Sequence, residues 1–201
     1  MVKSSTLFDD IVTKGMRAGH VPGRTKEARE WYRQTTKDMV KRVSENKLMR
    51  SKRRQMVKPT PGSMYLFSYD AKHKDTLPYW DKLPLIFPFK LEKDGFYGIN
   101  MHYLPPRLRA RLMDGLYDYA NNQRYDETTK INLSYKMLES VSRLRYFKPC
   151  VKHYLYSQVR SNFLYIYPSE WDIAVMLPVA RFQKRGANRV YADSEKSIYR
   201  V

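Results

Sequence analysis

The first sixty residues carry apolar positions at helical spacing, and the next forty carry them in short, aromatic, strand-like runs. Leu7, Phe8, Ile11, Val12 and Met16 predict a first helix. Ser4 and Ser5 cap it, and it ends near Arg17 before the breakers Gly19, Pro22 and Gly23. Thr25 predicts the cap of a second helix, with Glu27 and Glu30 where the helix dipole favours acids. That helix extends to about Lys52 on sparse apolar positions: Ala28, Trp31, Tyr32, Met39, Val40, Val43, Leu48 and Met49. It therefore reads as one-sided and mostly wet.

Pro59, Pro61 and Gly62 stop the helical pattern and divide the chain into an arm, residues 1–58, and a core domain, residues 59–201. Residues 64–69, 83–89, 96–103 and 162–167 predict four strands. Pro84 and Pro88 each remove a ladder donor, so the second strand is an edge strand or a bulged one. Lys93, Asp94 and Gly95 signal a hairpin turn, and Gly98 signals a bulge or a close approach. Pro105 and Pro106 open a helix with Leu108, Leu112, Leu116 and Tyr119 on one face. Thr128 or Thr129 opens another, residues 148–159 read as a short helix, and Ser169 caps a last one over 170–177. The fold class is α+β: a small antiparallel sheet, curved enough to approach an SH3-like partial barrel, flanked by helices and preceded by a basic helical arm.

Charge changes the picture more than hydropathy does. The 201 residues hold 38 Lys+Arg against 20 Asp+Glu, a net +18. Residues 1–60 alone hold 16 basic and six acidic side chains, more than half of that excess. A field of this sign attracts polyanions, of which nucleic acid is the commonest. Lys47, Arg50, Lys52, Arg53 and Arg54 place five cations in eight residues, a density suited to phosphate contact without base readout. Arg107, Arg109 and Arg111 form a second group. No apolar run reaches the ~18–20 residues of a membrane span. At 42% hydrophobic and 14% aromatic, the chain buries a core, which excludes a disordered basic tail.

Candidate chemistry is sparse. One cysteine, Cys150, forms no intramolecular disulfide and suits a reducing compartment. His20, His73, His102 and His153 lie far apart in sequence, so neither a metal nor another cofactor is expected. No phosphate-cradling or dinucleotide glycine motif is present. Asp70 and Lys72 form a D-x-K near Asp75, Asp81, Glu92 and Asp94, as a metal-dependent nuclease needs, but each acid sits in a turn signal. His102 has the chemistry of a general base, although a hydrogen-bonded structural histidine is the commoner case. No catalytic residue is assigned. Seventeen Tyr, eight Phe and three Trp exceed what a small core needs. Beyond core filling, Tyr79, Trp80, Tyr97 and Tyr103 are candidates for an interface or for stacking on bases.

Three blocks carry a family resemblance: GSMYLFSYDAKHKDTLPYWDKLPLIFP from Gly62, GFYGINMHYLPPRLRARLMD from Gly95, and EWDIAVMLP from Glu170. The chain resembles the DNA end protector, head-completion family of large contractile-tailed bacteriophages. The resemblance implies a non-catalytic virion protein, assembled in the host cytoplasm, that binds the ends of the packaged linear duplex. There it blocks host exonuclease, and it has a part in finishing the head before tail joining. The implied partners are double-stranded DNA and other virion structural proteins, with no membrane. The oligomeric state stays open. The rival expectation is a structural connector of the neck, tail or baseplate that never touches DNA.

Overall fold

A computed structural model describes residues 6–39, 48–49, 51–120, 122 and 124–199. Helix α1, Leu7–Arg17, starts on a capping box: Thr6 Oγ1 accepts from the Asp9 N–H at 3.2 Å, and Asp9 Oδ2 accepts from the Thr6 N–H at 2.8 Å. The cap is therefore Thr6, one residue past the expected serines, which lie outside the described residues. Helix α2, Lys26–Met39, starts as expected, with Thr25 Oγ1 accepting from the Ala28 N–H. Its expected continuation to about Lys52 lies outside the described residues over 40–47, and by Ser51 the helix has given way to a 3-10 turn at Lys52–Arg54. The two helices meet where Tyr32 lies across Gly15, so close that a Cβ there would fall 2.1 Å from the phenol oxygen. Tyr32 donates its hydroxyl to the carbonyls of Val12 and His20.

An open six-stranded sheet forms the centre, all of its pairs antiparallel. Its strands are β1 (Gln55–Met56), β2 (Met64–Leu66), β4 (Leu85–Leu91), β5 (Gly95–Asn100), β6 (Val151–Leu155) and β7 (Phe163–Ile166), in the order β1-β7-β2-β4-β5-β6. A separate two-stranded ribbon joins β3, Trp80–Asp81, to β8, Phe182–Gln183. The sheet does not close into a barrel. Strand β4 is internal, and its proline is accommodated by a bulge: Pro88 faces Gly98, the next pair is Lys90 with Tyr97, and Phe89 is the extra residue. Pro88 also accepts from the Gly62 N–H at 3.0 Å. Gly62 has φ +84°, and a Cβ there would meet the Ile131 carbonyl oxygen at 2.8 Å, so the turn into β2 requires glycine.

Side chains alternate between two buried faces. Met64, Leu66, Leu85, Phe87, Ile99, Leu164 and Ile166 enter the main core under the helices. Tyr65, Ile86, Phe96 and Phe163 enter a second cluster, sealed by Phe67, Tyr69 and Tyr154. Much of the aromatic excess therefore packs on the second face, with rings such as Phe67 and Phe163 4.8 Å apart.

Helix α3, Pro106–Ala120, buries Leu112 and Leu116 as expected. Helix α4, Glu127–Arg143, is capped by Asp126, whose carboxylate accepts from the Thr129 N–H, so the threonines expected as caps lie inside the helix. Residues 148–159 are not a helix. A 3-10 turn at Arg145–Cys150 leads into β6, which pairs with β5, and a second turn follows at Tyr156–Gln158. Pro149 prevents an α-helix from running through the segment, and the β5 edge offers Val151 and Tyr154 a ladder. Helix α5, Trp171–Ala174, is shorter than the expected 170–177 and has no side-chain cap. The loosely basic tail ends in an unforeseen helix, α6, Ala187–Tyr199, with Val190, Ser194 and Ile198 buried at four-residue spacing.

The amino-terminal helices pack against this body. Phe8, Ile11, Tyr32 and Leu48 belong to the main core, and β1 pairs with β7. Among the described residues, no helix is long and apolar enough to cross a membrane.

Candidate nucleic-acid interface

The expected phosphate contacts separate into buried bolts and exposed cations. Arg54 is buried: its guanidinium pairs with Glu170 and Asp9 and lies over the Tyr167 ring, 4.6 Å from the centroid. Arg109 is buried too. It donates to the carbonyls of Leu104 (2.7 Å), Val175 (2.8 Å) and His102 (3.2 Å), and to the Tyr191 hydroxyl (2.6 Å). Both side chains face inward with their donors occupied, which corrects their expected place at the surface. Arg33 is a third bolt, 2.6 Å from Asp172 and 2.8 Å from Asp114.

Lys52 and Arg53 remain exposed in the turn that precedes β1, and Arg107 and Arg111 remain exposed on α3. Among the described residues none of the four has an acidic partner. Lys47 and Arg50 lie outside the described residues. Exposed Lys58 follows β1, and a cleft of about 430 Å³ is lined by Arg143, Arg145, Lys148, Pro149 and Ser197. Arg143 is held by Glu139 at 3.0 Å, whereas Arg145 and Lys148 have no acidic partner among the described residues. The sequence signal for this cleft was present, three cations in six residues, but it straddles the end of one helix and the start of the expected helix at 148, so the three do not stand out as one group.

Three of the four candidate aromatics gather at one place. Tyr79, Trp80 and Tyr103 line a cavity of about 560 Å³ beside β3 and β6, together with Lys72, His73 and Lys152. Tyr97 lies elsewhere, stacked on His153 with ring centroids 4.5 Å apart. Lys152 Nζ sits 4.1 Å above the Tyr103 ring, and burial lowers its pKa. Lys184 Nζ donates to the carbonyls of Asp75 and Leu77 and stands 5.8 Å from the Trp80 ring.

The acids considered for nuclease chemistry do not assemble a shared edge. Asp70 pairs with Lys74 at 3.1 Å. Asp81 is buried and accepts four hydrogen bonds: from the main-chain N–H groups of Leu83 and Arg181, from Asn100, and from His102 Nδ1 at 2.6 Å. Burial alone would raise its pKa, but His102 and these donors hold it below the usual carboxylate value. Burial keeps the His102 ring below its ordinary value as well. With both residues enclosed, the pair is a structural clasp between β3 and the end of β5. Glu92, Asp94 and His153 do converge, with ligand atoms within 4.8 Å of one another, a grouping that sequence distance concealed. Lys90 already occupies Glu92 at 2.7 Å.

The model for the family described as Phage T4 terminal DNA protecting protein matches residues 5–196. No curated protein and no solved structure matches.

Proposed function

The chain belongs to the phage T4 terminal DNA protecting protein family, and from that membership we propose that it binds the end of the packaged duplex genome without catalysing a reaction. The observation that carries this reading is the set of exposed cations left without acidic partners among the described residues: Lys52, Arg53, Lys58, Arg107, Arg111, Arg145 and Lys148. Such side chains contact phosphates of any sequence, which is what a cap on a genome end requires. The protein acts in the virion, at the head or the head–tail junction, after assembly in the host cytoplasm.

Exonuclease digestion of a linear duplex tests the proposal, with closed circular DNA as competitor. The expected outcome is protection of the linear ends that an excess of circle does not abolish. Protection lost equally to circle and to linear competitor would leave only general DNA binding. Log affinity should fall with log salt at a slope of about −5 to −7 if six to eight phosphates are neutralised. A slope near zero would remove DNA from the account.

One observation favours a second reading, a connector that contacts other virion proteins. Leu144, Tyr146 and Tyr199 are all about half exposed or more, and the two tyrosine rings meet edge to face at 6.4 Å.

A further inference from the structure

The cavity beside β3 and β6 is lined by Lys72, Lys152, His73, His153 and aromatic rings, with a single carboxylate. Its one carboxylate, Asp81, is committed to four hydrogen bonds. Lys152 has neither a carboxylate partner nor a hydrogen bond among the described residues, although most of its side chain is enclosed. The indole N–H of Trp80 is buried and has no hydrogen-bond partner. A buried donor without an acceptor costs about 1–3 kcal/mol, and an enclosed ammonium without an anion is also costly. A ligand that brings anionic oxygens would supply the partner that Lys152 lacks. The walls add a second requirement, since the partly buried rings of Tyr79 and Trp80 line the cavity, while Tyr103, 4% exposed, is covered by Lys152 and Phe182. The preferred ligand is therefore flat as well as anionic. The volume, about 560 Å³, lies within the roughly 300–1,000 Å³ of small-ligand clefts.

We propose that this cavity receives a single unpaired nucleotide at the DNA terminus, its base against Tyr79 and Trp80 and its phosphate on Lys152. The proposal rests on the end-binding reading and deepens it. A base inside the duplex is covered on both faces and cannot enter; a terminal base loses only one stacking partner and is the cheapest to extrude. The cavity would thereby distinguish an end from the interior of a duplex, which the surface cations alone cannot do. Burial makes the ammonium of Lys152 easier to deprotonate, and a bound phosphate would reverse that.

The test compares the full chain's affinity for three hairpin-closed duplexes that differ only at the open end: blunt, with a one-nucleotide 3′ overhang, and with a one-nucleotide 5′ overhang. A sealed dumbbell is the endless control, and thymidine 5′-monophosphate is titrated separately. At least one overhang should bind about tenfold more tightly than the blunt end, the size of one base–aromatic stacking contact. Lys152→Met keeps the aliphatic stem and should reduce that preference to within about twofold, while blunt-end affinity holds. Tyr79→Leu, an apolar replacement at a partly buried position, should do the same and guards against a folding defect in the first variant. Equal wild-type affinity for all three open ends, or a preference unchanged in both variants, overturns the cavity's role and leaves end binding standing. If the dumbbell binds as well as the open ends, the end-binding reading fails instead. Thymidine monophosphate binding that is lost in Lys152→Met would then still support the cavity as a nucleotide site, and its absence would overturn that too.

Discussion

Arg33 Nε donates to Asp172 Oδ1 at 2.6 Å, across 139 positions of sequence. With the Arg54–Glu170 pair, it fastens the cationic amino-terminal segment to the turn at 168–174. Removing one member of such a pair strands the other charge in the interior. Arg33→Met should therefore lower unfolding free energy by about 3–5 kcal/mol, read by chemical denaturation. Duplex affinity measured well below the melting temperature should not change, because this guanidinium does not reach the surface.

The same pair predicts a pH dependence. Burial pushes the Asp172 carboxyl up to about 6, with Arg33 pulling in the other direction. The folded protein thus holds this proton to higher pH than the unfolded chain does. The contribution to stability is full below the ordinary value of 3.8 and is lost as pH rises through about 6. The difference in unfolding free energy between wild type and Asp172→Asn should therefore fall by roughly 3 kcal/mol between about pH 4 and pH 7. A difference that stays flat over that interval counts against the assignment.

Lys52 and Arg53 adjoin Arg54, yet the three have opposite consequences. Lys52→Ala and Arg53→Ala should each flatten the salt slope of duplex binding by about 1 and leave thermal stability unchanged. Arg54→Ala should do the reverse, costing about 3–5 kcal/mol by abandoning Glu170 in the core. Binding titrations at several salt concentrations, paired with thermal melts, separate the two behaviours.

Why those neighbours differ was not legible in the sequence. A run of Lys and Arg has no internal mark of which side chain turns inward; that depends on acids at Asp9 and Glu170, the latter 116 positions away. The four expected strands were legible because apolar residues and turn signals are local, although the third ends at Asn100 and Met101–Tyr103 form a 3-10 turn. The bulge at Phe89 was half legible: Pro88 requires some irregularity, but only pairing on both sides shows that β4 is internal. Strand β6 was missed, although Pro149 stands just before it, because only Tyr154 of its five residues is buried and its apolar alternation is weak, and α6 because its charged residues obscured the four-residue spacing of Val190, Ser194 and Ile198. Tyr79, Trp80 and Tyr103 were found as aromatics, while Lys152, the cation they surround, lay in the misread segment.

The Asp81–His102 clasp separates structure from catalysis. Asp81→Asn removes a carboxylate that accepts from four donors and should cost about 2–4 kcal/mol of stability. Neither that variant nor Asp70→Asn should alter the fate of a duplex incubated with Mg²⁺, because the wild type is expected to leave it intact. Wild-type cleavage that disappears in Asp70→Asn while duplex binding persists would establish the nuclease reading instead.

Cys150 offers an independent measure of how the body opens. It belongs to the main core, donates its thiol to the Phe147 carbonyl, and has its pKa pushed up to about 12 by burial. Thiolate is the reactive form, so the folded protein resists thiol reagents twice over, by exclusion and by protonation. Labelling at about pH 8 should accordingly proceed only through opening of the segment that carries β6 and the adjoining turn, and its rate should track unfolding in mild denaturant. Arg33→Met and Arg54→Ala should both accelerate labelling, whereas Lys52→Ala should leave it at the wild-type rate. A wild-type rate within about tenfold of the fully unfolded chain's would mean that the core around β6 opens far more readily than its packing indicates.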